Sequence, residues 1–201
     1  MWAAIVCCVI MCVSAQEHMS FRGVPLDGSL EDCMNALEEK GFHRVTDWDL
    51  RNVLGSLFGE DEQPQSIKKY LPDRMKGTFT NQDVTLYLHT TQQSKNVYAI
   101  TVTYERQSYW SELKAQYDNL KALLVKKYGE PTKVTETFSE GNVSDSEALY
   151  ELRGDRCTWE SLFESKKGEV ILYLSKEQCL CVKYIDRQNN ALNEQEIIDE
   201  L

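Results

Sequence analysis

The chain has 201 residues, of which 42% are hydrophobic, and a formal net charge of -10. This length suits one domain or a close pair of half-domains, and a chain of this size buries enough surface to fold without disulfides. The negative charge disfavours nucleic acid and anionic lipid surfaces as partners, because both bind clustered lysine and arginine.

The first residues, MWAAIVCCVIMCVSA, form an apolar run without a charged side chain. The run is shorter than the roughly 20 residues that cross a bilayer, and it fits a signal peptide that ends before Gln16. An ordinary buried N-terminal segment is the alternative. We expect a signal peptide at 1–15, export to the periplasm or the extracellular space, and one domain over 16–201. No later window resembles a membrane span, so no transmembrane segment is expected after signal removal.

A short helix is predicted next. Ser29 is a good N-cap, and Asp32 stands three residues later, close to the pattern of a capping box. Gly41 marks the end of the helix. The apolar positions between them follow helical spacing and are Leu30, Cys33 and Leu37.

The stretch from Trp48 to Met75 has no clear period and contains two prolines and an acidic run. We expect an irregular segment over 48–76. Long irregular segments in compact domains are often functional or mobile.

Two alternating runs follow, DVTLYLHT and NVYAITVTYE, joined by TQQSKN. Alternation of apolar and polar residues predicts a β-hairpin with one buried face. The next stretch, SYWSELKAQYDNLKALLVKKYGEP, predicts a long helix capped by Ser108 and ended by Gly129 and Pro131. Its apolar stripe is expected to face a sheet and consists of Trp110, Leu113, Tyr117, Leu120, Leu124 and Tyr128.

The remainder predicts mostly strands. KVTETF is followed by a polar loop, SEGNVSDSE, and by three β-type runs, ALYELRGDRCTWESLFES, GEVILYLSK and CLCVKYIDR. NEQEIIDEL predicts a short terminal helix. The fold class expected is α+β, a mainly antiparallel sheet with helices packed on one face. Similar helix-to-strand exits in LEEKGFHRV and VKKYGEPTKV favour two half-repeats, over 21–105 and 106–201.

Three segments, FRGVPLDGSLEDCMNALEEKGF, LKALLVKKYGEP and RGDRCTWESLFESKKGEV, resemble a family of small exported proteins of Bacteroides-type bacteria. The opening of that family, Phe-x-Gly-Val/Ile-Pro-Ile/Leu-Asp-Gly before a helix that closes on Lys-Gly-Phe, matches Phe21 to Phe42. The resemblance implies export and a small α+β domain, and it lends no activity. The element order is also similar to BamE-like and β-lactamase-inhibitor-like domains, an analogy of architecture that does not carry function.

Four cysteines remain beyond the apolar N-terminus, and they are candidates for disulfides: Cys33, Cys157, Cys179 and Cys181. In a strand, Cys179 and Cys181 would point to the same face about 6.6 Å apart. A disulfide needs Cβ atoms about 3.8 Å apart, so Cys33 or Cys157 would have to be a partner. The alternative is that all four are small buried hydrophobic residues.

Motifs for catalysis are weak. None of the three histidines, His18, His43 and His89, has a cysteine or aspartate at a suggestive spacing, and His18 is expected to be disordered near the N-terminus. Two Ser-x-x-Lys strings lack the companion Lys-Thr-Gly element. Metal-ligand spacing and glycine-rich phosphate loops are missing as well. We therefore expect no catalytic residue, no cofactor and no metal.

Aromatic side chains are the remaining clue, with Trp48, Trp110, Trp159 and Phe163 as a candidate binding surface. Exposed, they would suit a sugar, a peptide or a protein, and otherwise they belong to the core. The first hypothesis is a non-catalytic exported module that binds an envelope protein or glycan through its sheet face or the segment after Trp48. The alternatives are a periplasmic hydrolase acting on glycan or peptide, and a secreted inhibitor or immunity-type protein.

Overall fold

The structure, a computed structural model, describes residues 18–45, 74–139, 141 and 143–201. The strands are β1 Ser20–Phe21, β2 Val24–Pro25, β3 His43–Arg44, β4 Arg74–Phe79, β5 Gln82–Thr90, β6 Val97–Tyr104, β7 Lys133–Phe138, β8 Cys157–Glu164, β9 Gly168–Leu174 and β10 Leu180–Asp186. The helices are α1 Leu30–Glu38, α2 Trp110–Tyr128, α3 Asp145–Arg153 and α4 Arg187–Ile198. The predicted signal peptide, Trp48 and most of the segment 48–76 lie outside the described residues.

Eight strands form one antiparallel sheet in the order β3-β4-β5-β6-β10-β9-β8-β7, and β1 pairs with β2 in a small separate sheet. The strands β3 to β6 are neighbours in chain order, and so are β7 to β10. The last strands of the two sets pair at the centre of the sheet, where Val102 lies opposite Val182. Helix α1 precedes the first set, and helix α2 precedes the second. The predicted α+β class with a mainly antiparallel sheet is confirmed.

The hydrophobic core covers one face of the large sheet, here called the helix face. Side chains of period two on β5, β6, β9 and β10 supply much of it: Val84, Leu86, Leu88, Ile100, Val102, Val170, Leu172, Val182 and Tyr184. Helix α1 adds Cys33, Met34 and Leu37. Helix α2 buries the predicted stripe from Trp110 to Leu124. Burial of large apolar side chains of this kind stabilises a fold by about 1.5–3 kcal/mol for each one.

The N-terminal strand pair closes this core. The ring of Phe21 lies 5.3 Å from the ring of Tyr184 and 5.8 Å from that of Phe42, measured between centroids. Tilted rings at these distances pack favourably beyond their burial alone. Phe21 therefore joins the lead-in before α1 to the central strand β10.

The predicted strand ALYELRGDRCTWESLFES is wrong in its first half. Residues Asp145–Arg153 form helix α3, and only Cys157–Glu164 form a strand. Ser144 and Glu147 make a capping box at the helix start, while Ala148 and Leu152 share its buried face. The polar run that favours a loop is thus the start of a helix, because capping residues and loop residues are the same types.

Smaller corrections concern element ends. Helix α2 begins after Tyr109 and not after Ser108, and no side chain caps it. The terminal helix α4 starts at Arg187, earlier than predicted, because the Asp186 side chain accepts the first free amide hydrogens of the helix. Strand β4 was not predicted. His18, expected to be disordered, is described with its Nδ1 atom 3.1 Å from Asp186 Oδ1.

Candidate functional site

The candidate site lies on the sheet face opposite the helix face, here called the open face. Helices α1 and α2 pack on the other side, so the open-face side chains stand outside the hydrophobic core. Ala99 and Cys181 are buried on this face, yet neither belongs to the core cluster. The strand positions that alternate with the core residues form this face: His43, Arg74, Lys76, Asp83, Thr85, Tyr87, His89, Ala99, Thr101, Thr103, Cys181, Lys183, Ile185, Glu169, Ile171, Tyr173, Glu160, Leu162, Lys133 and Thr135.

The open face is organised in rows that run across the strands. One row places His43, Lys76, Thr85, Thr103 and Cys181 side by side on β3, β4, β5, β6 and β10. Neighbours in such a row have Cβ atoms about 4.5–5.5 Å apart, so the side chains of a row act together.

The neighbouring row starts with Arg74 and continues through Tyr87, Thr101 and Lys183. The guanidinium carbon of Arg74 lies 4.9 Å from the centre of the Tyr87 ring, which is a cation–π distance. This side of the open face therefore combines positive charge with an aromatic ring.

His89 lies beside that row. Its Nε2 atom is 2.9 Å from Thr101 Oγ1. Burial lowers the pKa of His89, and the nearby positive charge of Lys183 lowers it further. The imidazole is therefore mainly neutral at pH 7.

The His89–Thr101 contact resembles the pairing of a base with a hydroxyl nucleophile. Such a pair needs a third group that orients the base, and no acidic partner of His89 occurs among the described residues. Thr101 is also only 8% exposed. We interpret the contact as structural.

A pocket opens in the row of His43, Lys76, Thr85 and Thr103. Its cavity volume is about 370 Å³, and Tyr87, Asp83 and Glu105 also line it. Thr85 and Thr103 lie opposite each other on β5 and β6 and contribute two hydroxyl groups. The lining, which also includes Gly77, Val84 and Tyr104, therefore combines apolar and aromatic groups with hydroxyl and charged ones.

Opposite charges line the two sides of this pocket. Lys76 and His43 are directly paired on β4 and β3. Asp83 and Glu105 both flank the paired residues Val84 and Tyr104, so their carboxylates share one end of β5 and β6. The pocket thus offers N–H donors on one side and carboxylate acceptors on the other.

The cysteines are poor nucleophiles. All four in the described part of the chain are buried and free. Burial raises the pKa of Cys33 to about 12 and those of Cys157 and Cys181 to about 11, and it also raises the pKa of Cys179. The thiolate is the reactive form of cysteine, so burial makes these thiols poor nucleophiles at neutral pH. Disulfide formation by any of these four cysteines stays a prediction.

Three of the four aromatic residues predicted to form a binding surface lie among the described residues. Trp110 is 6% exposed and Phe163 is 2% exposed, so both belong to the core and cannot serve as a binding surface. Trp159 is half-buried and meets the Trp110 ring edge-on at 5.1 Å between centroids. Trp48 lies outside the described residues.

Sequence reasoning missed most of the pocket. His43, Lys76, Asp83 and Glu105 were not among the predicted site residues, although the polar side of the DVTLYLHT run already placed Thr85, Tyr87 and His89 on one face. Strand β4, which carries Lys76, was not predicted. The pairing of β3 with β4 and of β6 with β10 joins residues far apart in sequence, and periodicity carries no signal for it.

Within the residues that the structure describes, no group of three or more His, Cys, Asp or Glu side chains is placed to hold a metal ion. None of the described helices combines the length and the apolar character needed to cross a membrane. No family model, curated protein or solved structure matches the chain.

Proposed function

We propose that the protein is an exported, non-catalytic binding module of the cell envelope, and that the open face receives its protein or glycan partner. The observation that carries the proposal is the contrast between the two faces of the sheet. Core residues cover the helix face, while the open face presents hydroxyl, aromatic and charged side chains outside the core. Mixed aromatic and polar surfaces on a rigid sheet suit recognition of a polar partner.

Export is proposed on the apolar segment at 1–15 and on the resemblance of Phe21 to Phe42 to exported Bacteroides-type proteins. Lack of catalysis is proposed on the chemistry of the described residues. Their thiols have raised pKa values, and their one imidazole–hydroxyl contact has no orienting acid.

Capture of a partner from envelope extract by chemical cross-linking tests the proposal. Two variants change the open face at half-buried positions, Lys183→Glu and Ile171→Asp, and Leu123→Asp is the matched control on α2, where Leu123 is 50% exposed. We expect both open-face variants to lose a cross-linked species that the wild type and the control retain. Retention by both open-face variants, with unchanged circular dichroism, would place the partner elsewhere and overturn the proposal.

A further inference from the structure

The charged groups of the pocket are unpaired. Arg44, next to His43 on β3, binds both Glu31 and Glu38. In the described part of the chain, Lys76, Asp83 and Glu105 have no ion-pair partner. Charged groups that line a cavity without partners are free to bind a charged ligand.

The two carboxylates add to this argument. Asp83 and Glu105 lie opposite each other on β5 and β6, because both flank the paired residues Val84 and Tyr104. Like charges placed directly opposite on a sheet destabilise it. A positively charged group bound between the two carboxylates would relieve their repulsion.

The spacing sets the length of such a ligand. Lys76 and Asp83 stand on neighbouring strands one row apart, and diagonal neighbours of this kind have Cα atoms about 7–8 Å apart. Two residues of extended peptide span about 7 Å. A dipeptide is therefore about as long as the separation between these two backbone positions.

We infer that the pocket binds a short peptide with a free α-ammonium group and a free carboxylate. The ammonium group sits between Asp83 and Glu105, and the carboxylate accepts hydrogen bonds from Lys76 and His43. Thr85 and Thr103 supply hydroxyl groups for the peptide bond. This inference rests on the proposed binding role of the open face, and it specifies the chemistry of the ligand there.

Titration of the full chain with alanyl-alanine, followed by amide chemical shifts, tests the inference. We expect saturable shifts at Thr85 and Thr103, with a dissociation constant of about 1 mM, as befits a small polar ligand. The acetylated dipeptide lacks the ammonium group, and the amidated one lacks the carboxylate. Each should bind about tenfold more weakly, because each loses one charge-assisted contact of roughly 1.4 kcal/mol.

Two variants assign the ends of the ligand. Asp83→Asn with Glu105→Gln should weaken alanyl-alanine about tenfold and leave the acetylated dipeptide unchanged. Lys76→Gln should weaken alanyl-alanine and leave the amidated dipeptide unchanged. Glu112→Gln, at an exposed position on α2, is the control and should bind as the wild type does.

Equal binding of free and blocked dipeptides, or no shift at Thr85 and Thr103, would overturn the inference. These ligand comparisons need no variant, so a misfolded variant leaves the test intact. If Lys183→Glu and Ile171→Asp still abolish partner capture while dipeptides fail to bind, the peptide inference falls and the proposed binding function stands. If dipeptides bind but capture is insensitive to those two variants, the proposed partner surface falls.

Discussion

The hydroxyl oxygen of Tyr117 lies 2.7 Å from Ser161 Oγ, and both side chains are completely buried. Tyr117 stands in the middle of α2, and Ser161 points from β8 into the helix face. Burial raises the pKa of Tyr117, so the phenol stays protonated. This hydrogen bond is therefore a polar link between the long helix and the sheet inside an otherwise apolar layer.

We expect Ser161→Ala to lower the free energy of unfolding by about 1–3 kcal/mol, because the buried Tyr117 hydroxyl loses its partner. Tyr117→Phe should lower the free energy of unfolding by a similar amount. The double variant should lose less than the two single variants lose together, since it leaves no unpaired hydroxyl. Urea denaturation of the four proteins measures this coupling, and strictly additive losses would show that the two hydroxyls do not interact.

Local patterns in the sequence were sufficient to predict helix α2 and the hairpin of β5 and β6. The stripe from Trp110 to Leu124 repeats over about four turns, and Val84, Leu86 and Leu88 alternate without a break. Helix α3 was missed because its capping box lies in a run of Ser, Asp and Glu that equally favours a loop. The long periodic segments of α2 and of the hairpin thus predicted their structures, whereas the short helix α3 did not have enough periodic positions to be recognised.

The candidate site was less predictable than the fold. Alternation indicates that Thr85 and Tyr87 share a face, but it does not indicate which strand lies beside them. Lys76 reaches the pocket only through the pairing of β4 with β5. Trp110 and Phe163 were predicted to form a binding surface but are buried in the core. The sequence does not distinguish the two places, because large aromatic side chains occur in cores as well as on surfaces.

Gly77 provides room for an aromatic ring. A Cβ atom at this position would lie 2.5 Å from Cδ1 of Phe42, far inside contact distance. We expect Gly77→Ala to destabilise the protein by about 1–3 kcal/mol through overpacking. Thermal unfolding followed by circular dichroism measures the loss.

Gly28→Ala is the matched control for this substitution. Its Cβ atom would meet the nearest atom, Cβ of Asp32, at an ordinary distance of 3.6 Å. The control should be neutral or slightly stabilising, by up to about 1 kcal/mol, because alanine reduces the freedom of the unfolded chain. Equal effects of the two substitutions would contradict a steric role for Gly77.

Asp186 joins the start of the described chain to its last helix. One carboxylate oxygen accepts the Met19 amide hydrogen at 2.7 Å, and the other accepts those of Gln188 and Asn189 at 3.0 and 2.8 Å. We expect Asp186→Ala to lower the free energy of unfolding by about 2–4 kcal/mol. The substitution removes the cap of α4 and the charge-assisted hydrogen bond from the Met19 amide together. Ser144→Ala, which removes only the cap of α3, should cost about 1 kcal/mol.

Hydrogen exchange locates the effect of the Asp186 substitution. The Met19 amide should exchange much faster in Asp186→Ala than in the wild type, because its acceptor is gone. The same amide should keep its protection in Ser144→Ala. Unchanged protection of Met19 in Asp186→Ala would mean that the carboxylate does not hold the N-terminal strand.

Glu196 fastens α4 to the loop between β5 and β6. Its carboxylate accepts the amide hydrogens of Gln93 and Ser94 at 2.6 and 3.1 Å, and the Ser94 hydroxyl at 2.7 Å. These hydrogen bonds, led by that from the Gln93 amide, hold the pKa of Glu196 below its usual value of 4.5. A carboxylate with a lowered pKa in the folded state stabilises the fold above its unfolded pKa, and this stabilisation disappears as the pH falls through the folded value.

Glu196→Gln removes this pH dependence. The variant should be less stable than the wild type above pH 4.5, and the difference should shrink as the pH falls below that value. Glu194→Gln changes a carboxylate of the same helix whose one hydrogen bond within the described residues comes from the Asn190 side chain, and it should follow the wild-type curve closely. Urea unfolding at a series of pH values compares the three proteins. A stability difference for Glu196→Gln that is constant with pH would show that the amide is as good an acceptor as the carboxylate, and that the charge on Glu196 does not hold the loop.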